Sequence, residues 1–201
     1  MFYDGYFGIP DFVIAITAVS MFASTVRRQP GDPTYWIPFN RYSLLRYASG
    51  VLLLFISILF SFRRDDLFSY AVALAGMSLF LAGAVFFFGA KSPLSRIIAT
   101  GGEEGPALSP AGFYRFCRHP MYFGLILCSF GLAIEQLSPA GTVVAIVVVI
   151  PVVVRSVHVI DAYWRSKTGA AYAAYQKGVN ALFPSRKNAW RGDAPDRMQK
   201  I

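Results

Sequence analysis

Thirteen residues, Gly112-Phe-Tyr-Arg-Phe-Cys-Arg-His-Pro-Met-Tyr-Phe-Gly124, hold two arginines, a histidine, two tyrosines and a proline. They follow a hydrophilic stretch and run straight into an apolar one, which puts them at a membrane surface. Polar groups there cost free energy to desolvate, so their retention points to ligand holding. A second polar set, Arg155, His158, Asp161 and Arg165, recurs at three-to-four-residue spacing and lines one stripe of a helix. Two readings of that stripe stay open. One is a solvated helix end with an Asp161–Arg165 pair at i, i+4. The other is a polar face turned back toward Arg118 and His119.

The elements that must position these groups follow from hydropathy. Of 201 residues, 55% are hydrophobic and only 15% charged, too apolar for an ordinary soluble domain. The apolar residues cluster into runs near the length that crosses a hydrocarbon core of roughly 30 Å. These runs are Phe7 to Val26, Tyr47 to Phe62, Leu67 to Phe88, Met121 to Ile134 and Thr142 to Val154. The expected fold is an all-α integral membrane protein of about five transmembrane helices. The last two would form a tight hairpin across Glu135–Gly141, with a cytoplasmic pocket at the polar junction. Residues 1–184 make one domain, with the motifs in 105–184, and residues 185–201 form a basic polar tail. The first span lacks a basic flank and a small-residue cleavage site, so it is expected to be a retained helix. Asp11 in it lies near the aqueous boundary and is read as solvated.

Net charge is +8, but its distribution matters more than its sum. With five spans, one side receives only Arg63 and Arg64. The other receives Arg27, Arg28, Arg41, Arg46, Lys91, Arg96, Arg115, Arg118 and most of the tail's basic residues. Positive-inside bias then places the N-terminus outside and the C-terminus and cofactor loop in the cytoplasm, in a multi-pass protein of a bacterial inner membrane. The basic excess is topological and suits anionic lipid headgroups, not nucleic acid. The Tyr35-Trp36 pair reads as an interfacial anchor. Lys91 to Pro110, with Gly101, Gly102 and Gly105, reads as a flexible segment and possible lid; it is no phosphate cradle. Cys117 and Cys128 have no metal-ligand spacing. Cys128 reads as an apolar helix residue, and Cys117 beside Arg118 as a somewhat reactive thiol. Gly169 is expected to break a helix, and Tyr172 and Tyr175 to share one side of a short segment resting on the membrane.

The pattern Gly112-Phe-Tyr114 followed by Arg118-His-Pro-Met-Tyr122-Phe-Gly124 resembles the first signature of the integral-membrane methyltransferases. That superfamily includes the isoprenylcysteine carboxyl methyltransferases and the phospholipid N-methyltransferases. Its second element, a Glu-Glu-x-x-Leu sequence before Gly-x-x-Tyr-x-x-Tyr and a later proline, is similar to Ile160-Asp-Ala-Tyr-Trp164, then Gly169, Tyr172, Tyr175 and Pro184. Here Ile160 replaces the first acidic residue and the shorter Asp161 the second. The resemblance implies S-adenosylmethionine as cofactor. It implies Tyr114, Arg118, His119, Pro120, Met121, Tyr122, Gly124 and Asp161 around it, with Arg155, His158 and Asp161 in catalytic roles. Arg118 would pair with the cofactor carboxylate. The Arg118–Pro120 turn would expose backbone N–H groups to an anion, and the tyrosines would offer aromatic surface to adenine or sulfonium. Gly124 would let the cofactor or the fifth helix approach closely.

The expected partner is a lipophilic or lipidated acceptor carrying a carboxylate, thiol or phospholipid amine, in contact with membrane lipid. Two other classes share the architecture: an NADPH-dependent reductase of the sterol-reductase type, and a non-catalytic membrane protein of the same fold. No metal site is expected.

Overall fold

The computed structural model describes residues 16–18, 20, 41–61, 66–91, 97–102 and 105–184. Most of the first expected span with Asp11, the connection carrying Tyr35-Trp36, the Arg63-Arg64 loop and the tail from residue 185 lie outside them.

Helix α1 is Arg41–Leu59 and α2 is Leu67–Lys91. After the β-hairpin and a 3-10 turn at Gly112–Arg115, α3 covers Pro120–Glu135. A turn at residues 136–138 leads into α4, Pro139–Val144. A π-helical turn, Ala145–Val149, joins it to α5, Ile150–Thr168. Helix α6 is Ala170–Gly178. Helices stand where the four apolar runs from Tyr47 onward were expected, and the last run continues well past Val154 to carry Asp161. Among the described residues, two stretches, Leu67–Ala90 and Pro139–Ser166, are long and apolar enough to cross a membrane, while Leu44–Leu59 and Pro120–Glu135 are shorter apolar helices.

The hairpin is a departure from the expected flexible segment. Strands β1, Ile97–Gly102, and β2, Gly105–Pro110, pair antiparallel from Ile97 opposite Pro110 to Gly102 opposite Gly105. Gly101, Gly102 and Gly105 lie at the far end of the ladder. Pairing satisfies backbone groups that an irregular segment would leave to water.

Helix α3 is the centre of the bundle, and it lies closest to α2. Two seven-residue rows on α2, Gly76–Gly83–Ala90 and Ala73–Phe80–Phe87, face inward, while Leu74, Leu81, Val85 and Phe88 are exposed. A Cβ on Gly83 would sit 2.7 Å from both Cys128 N and Gly124 O, and one on Gly124 would sit 2.6 Å from Gly83 O. Gly131 meets Phe80, and Gly76 meets Glu135, in the same manner. Between helices in lipid there is little hydrophobic drive, so small residues that permit close backbone approach carry the association. Gly124 therefore admits α2, and neither the fifth helix nor a ligand has room at its Cβ position. The remaining core joins Leu53 of α1, Tyr122, Leu125 and Leu132 of α3, and Ala145, Val149, Val153 and Val157 of the last long helix.

Three local devices shape that last helix. Leu137, at φ 46°, reverses the chain, and the Ser138 hydroxyl accepts from the Gly141 N–H at 3.1 Å as N-cap. Pro139 occupies the first turn, where its missing N–H costs nothing. Pro151 has no N–H for the carbonyl of Val147, and its ring crowds that carbonyl. The helix widens just before it, and the Ile150 N–H reaches back to Ala145 O. Gly169, at φ 52° and ψ −122°, ends α5 and starts α6. Nothing lies within 4 Å of its missing Cβ, so the positive φ alone demands glycine there.

In an open helix, replacing glycine by alanine gains about 1 kcal/mol of propensity. At Gly83 the clash with α3 reverses that sign. Gly83→Ala lowers the thermal midpoint in detergent, and Gly83→Leu lowers it further, by overpacking worth about 1–3 kcal/mol. Differential scanning fluorimetry of the two variants checks this, and a more stable Gly83→Ala contradicts the packing described.

Candidate functional site

Asp161, on the inward side of α5, meets three donor side chains from two other segments, the junction before α3 and α6. Arg118 Nη1 donates to Oδ2 at 2.8 Å, and His119 Nε2 lies 2.7 Å from Oδ1. The Tyr172 hydroxyl, from α6, also donates to Oδ1, at 2.7 Å. The Arg118, His119 and Asp161 side chains are 11%, 5% and 15% exposed. Of the two readings of the α5 stripe, the geometry has Asp161 face the Arg118-His119 junction. Arg165 instead donates to Gln176 of α6.

The junction is held by the chain that follows α6. The Arg118 and His119 N–H groups donate to Asn180 O and Ala181 O, each at 2.9 Å. Arg118 Nε donates to Val179 O at 3.0 Å. These N–H groups, expected to face an anion, are thus occupied by carbonyls; an intrachain strap satisfies donors that Pro120 and the helix start leave over. The Cys117 thiol donates to Leu182 O at 2.9 Å. Burial pushes its pKa up to about 12, so the reactive thiol expected beside Arg118 is instead an inert one.

The tyrosines of the second motif turn inward. Tyr172 and Tyr175 are 1% and 0% exposed and do not rest on a membrane surface. Trp164 and Tyr172 stack at 6.3 Å between centroids, and the Tyr175 hydroxyl donates to Tyr114 O at 2.6 Å. Burial raises the pKa of both tyrosine hydroxyls, Asp161 adding to the effect at Tyr172, so both remain protonated donors. Tyr114 packs against this aromatic group.

The imidazole of His119 is buried, and desolvation lowers its pKa against the opposing pull of Asp161. A carboxylate only accepts, so in the neutral ring Nε2 carries the hydrogen and Nδ1 keeps the lone pair. Tyr122 meets the His119 ring edge-on at 6.1 Å, and the Arg46 guanidinium of α1 lies 5.5 Å from the Tyr122 centroid.

The structure thus brings together Arg118, His119, Asp161 and, beside them, Tyr122. Pro120 is buried at the start of α3, and Met121 packs on the core. Arg155 and His158 are exposed on α5. Sequence reasoning passed over Arg46, counting it only toward charge bias. Its signal was an arginine embedded in an otherwise apolar helix. Among the described residues, no group of His, Cys, Asp or Glu could hold a metal ion.

The buried neutral His119 makes stability depend on pH. Unfolded histidine titrates near pH 6.5, about its unperturbed value, and the folded group titrates lower. The unfolded state therefore takes up the proton first as pH falls. The stabilisation present above pH ~6.5 is progressively lost below it. Thermal midpoints in detergent fall between pH ~6.5 and ~5. His119→Gln, which keeps a donor for Asp161 without titrating, flattens that slope.

Residues 71–163 match the family model described as phospholipid methyltransferase, just under half of the chain. No curated protein and no solved structure matches it. The match runs from α2 through α3 to Tyr163, and so includes Arg118, His119 and Asp161 but stops short of Tyr172 and Tyr175. It is consistent with the integral-membrane methyltransferase superfamily that the two motifs resemble. It suggests a methyltransferase with lipid acceptors, and with the apolar helices it suggests membrane association.

Proposed function

We propose that this chain transfers a methyl group from S-adenosylmethionine to a lipophilic acceptor at a membrane. The observation that carries the reading is the meeting at Asp161 of Arg118 and His119 from the first motif and Tyr172 from the second. Arg118 and His119, just before α3, reach a carboxylate of α5 that lies 43 and 42 positions further along the chain.

The residues present suit the cofactor. Its sulfonium is a cation, and a carboxylate bonded by Tyr172, whose ring stacks on Trp164, is a favourable setting for one. Its carboxylate would be taken by Arg118, whose guanidinium has N–H donors beyond those given to Asp161 and Val179. When bound it supplies the electrophilic methyl. The chain's own contribution is alignment and exclusion of water. A carboxylate acceptor needs no base. An amine acceptor must lose a proton, and the neutral His119 is the group placed to take it, with Asp161 orienting the ring.

Ile160, which departs from the motif's first acidic position, packs against both the bundle core and the aromatic group. In this chain that position serves packing, and Asp161 carries the acidic role alone. We read the protein as five spans with the N-terminus outside and the site on the cytoplasmic face, on the basis of the hydropathy runs and the basic bias. An NADPH-dependent reductase remains the competing activity.

Calorimetric titration with S-adenosylhomocysteine and, in parallel, NADPH separates the two. Binding of the former alone is expected. Arg118→Ala should weaken it at least tenfold, since a charged hydrogen bond is worth roughly 1.5–3 kcal/mol. An unchanged dissociation constant in a folded variant removes Arg118 from the cofactor site.

A further inference from the structure

Arg46 stands on the second turn of α1, where the neighbouring Leu44 and Leu45 are exposed and Val51, Leu52 and Phe55 continue an outward apolar face. Arg46 itself is turned inward and is 7% exposed. Its Nη1 donates to Ser156 Oγ of α5 at 2.9 Å. Ser156 is fixed in turn by donating to Val152 O at 2.7 Å. The guanidinium carbon lies 5.5 Å from the centroid of Tyr122, whose ring meets His119, which meets Asp161. One continuous line of side-chain contacts therefore runs from Asp161 to Arg46. Ser156 precedes Asp161 by five residues on the same helix, so Arg46 lies about 7–8 Å deeper along α5 than the carboxylate.

Depth also matters. The apolar run of α1 begins at Leu44, so Arg46 is only about 3 Å along the axis from that boundary. From there a side chain as long as arginine's reaches the headgroup level in a spanning helix. A guanidinium stays charged at every pH a protein meets, and its planar fork fits a phosphate in a bidentate manner. Charged groups embedded at such a position mark ligand sites by default. The Tyr122 ring and Ser156 hydroxyl hold the fork in one orientation beside the reacting end of the site.

We propose that Arg46 recognises the phosphate of a phospholipid acceptor and so favours acceptors that carry a headgroup phosphate. This rests on the methyltransferase reading for the reaction, but not for the binding. In an ethanolamine phospholipid the amine is joined to the phosphate through a short two-carbon link. A phosphate held at Arg46 thus leaves the amine free to lie toward His119. No step of bond making or breaking is assigned to Arg46; it is a specificity residue.

The test uses the full chain in detergent with short-chain phosphatidylethanolamine, and dodecylamine as an acceptor without phosphate. Arg46→Gln should raise the KM for the phospholipid by about tenfold or more, the loss expected for a charged hydrogen bond. Its kcat, its turnover of dodecylamine and its affinity for S-adenosylhomocysteine should be unchanged. Arg46→Lys should fall between it and the wild type, because the charge is kept and the fork is lost. Ser156→Ala should weaken phospholipid use in the same direction. An unchanged phospholipid KM in Arg46→Gln overturns the proposal. So does a parallel loss of S-adenosylhomocysteine affinity, which would give Arg46 to the cofactor's carboxylate. If Arg46→Gln does not fold, Arg46→Lys decides: wild-type KM overturns the assignment and a raised one supports it. Thermal stabilisation by the phospholipid reads binding without turnover. If the wild type transfers no methyl group, loss of that stabilisation in Arg46→Lys still supports the phosphate site while the reaction assignment falls; its retention overturns the site.

Discussion

One half-hidden carboxylate holds the functional end of this molecule together. Asp161 accepts from an arginine and a histidine that are neighbours in the junction before α3 and from a tyrosine of α6. Withdrawing any ionic group from water is costly, and removing one partner of such a set leaves the other uncompensated. The junction before α3, the inward stripe of α5 and the return of α6 are therefore mutually dependent. The carbonyls of residues 179–181 complete the arrangement by taking the N–H groups at Arg118 and His119 and the Arg118 Nε. The chain after α6 is part of the site's frame.

That arrangement needs a rigid support, which the α2–α3 pair supplies. Glycines on both helices bring their backbones close enough that a methyl group at Gly83 or Gly124 would collide with main-chain atoms. Close contact fixes the rotation of α3 about its axis. The same helix can then present Tyr122 and Leu125 toward α1 and α5 while Gly124, Gly131 and Cys128 face α2. The edge-on contacts of Phe86 with Phe113 and Phe123 extend this support to the 3-10 turn ahead of the motif.

Much of this was legible in the sequence, and the failures have physical causes. Apolar runs named the helices from Tyr47 onward because hydropathy reports a solvent preference averaged over many residues. The Arg118, His119 and Asp161 meeting was visible as one of two readings of a helical stripe. Periodicity says which residues share a face, though not what that face meets. For the same reason Gly124 was assigned to a ligand or the fifth helix when α2 occupies it. Tyr172 and Tyr175 were correctly put on one side of a segment, and that side proved to be the buried one. The hairpin at Ile97–Pro110 escaped because its glycines and prolines resemble an irregular connection, while its strands are only six residues each. Arg46 escaped because a charge total has no direction.

The π-helical turn at Ala145–Val149 acts as a phase shifter for the longest helix. Its extra backbone unit advances everything downstream by about 100°, one residue of a 3.6-residue turn. Gly141 upstream and Val153, Ser156 and Asp161 downstream are turned toward the protein with that offset in place. The spacing between Ser138 and Asp161 is thus a fixed rotational quantity. Chain length there can change in whole turns, but a single residue gained or lost would aim the carboxylate at lipid.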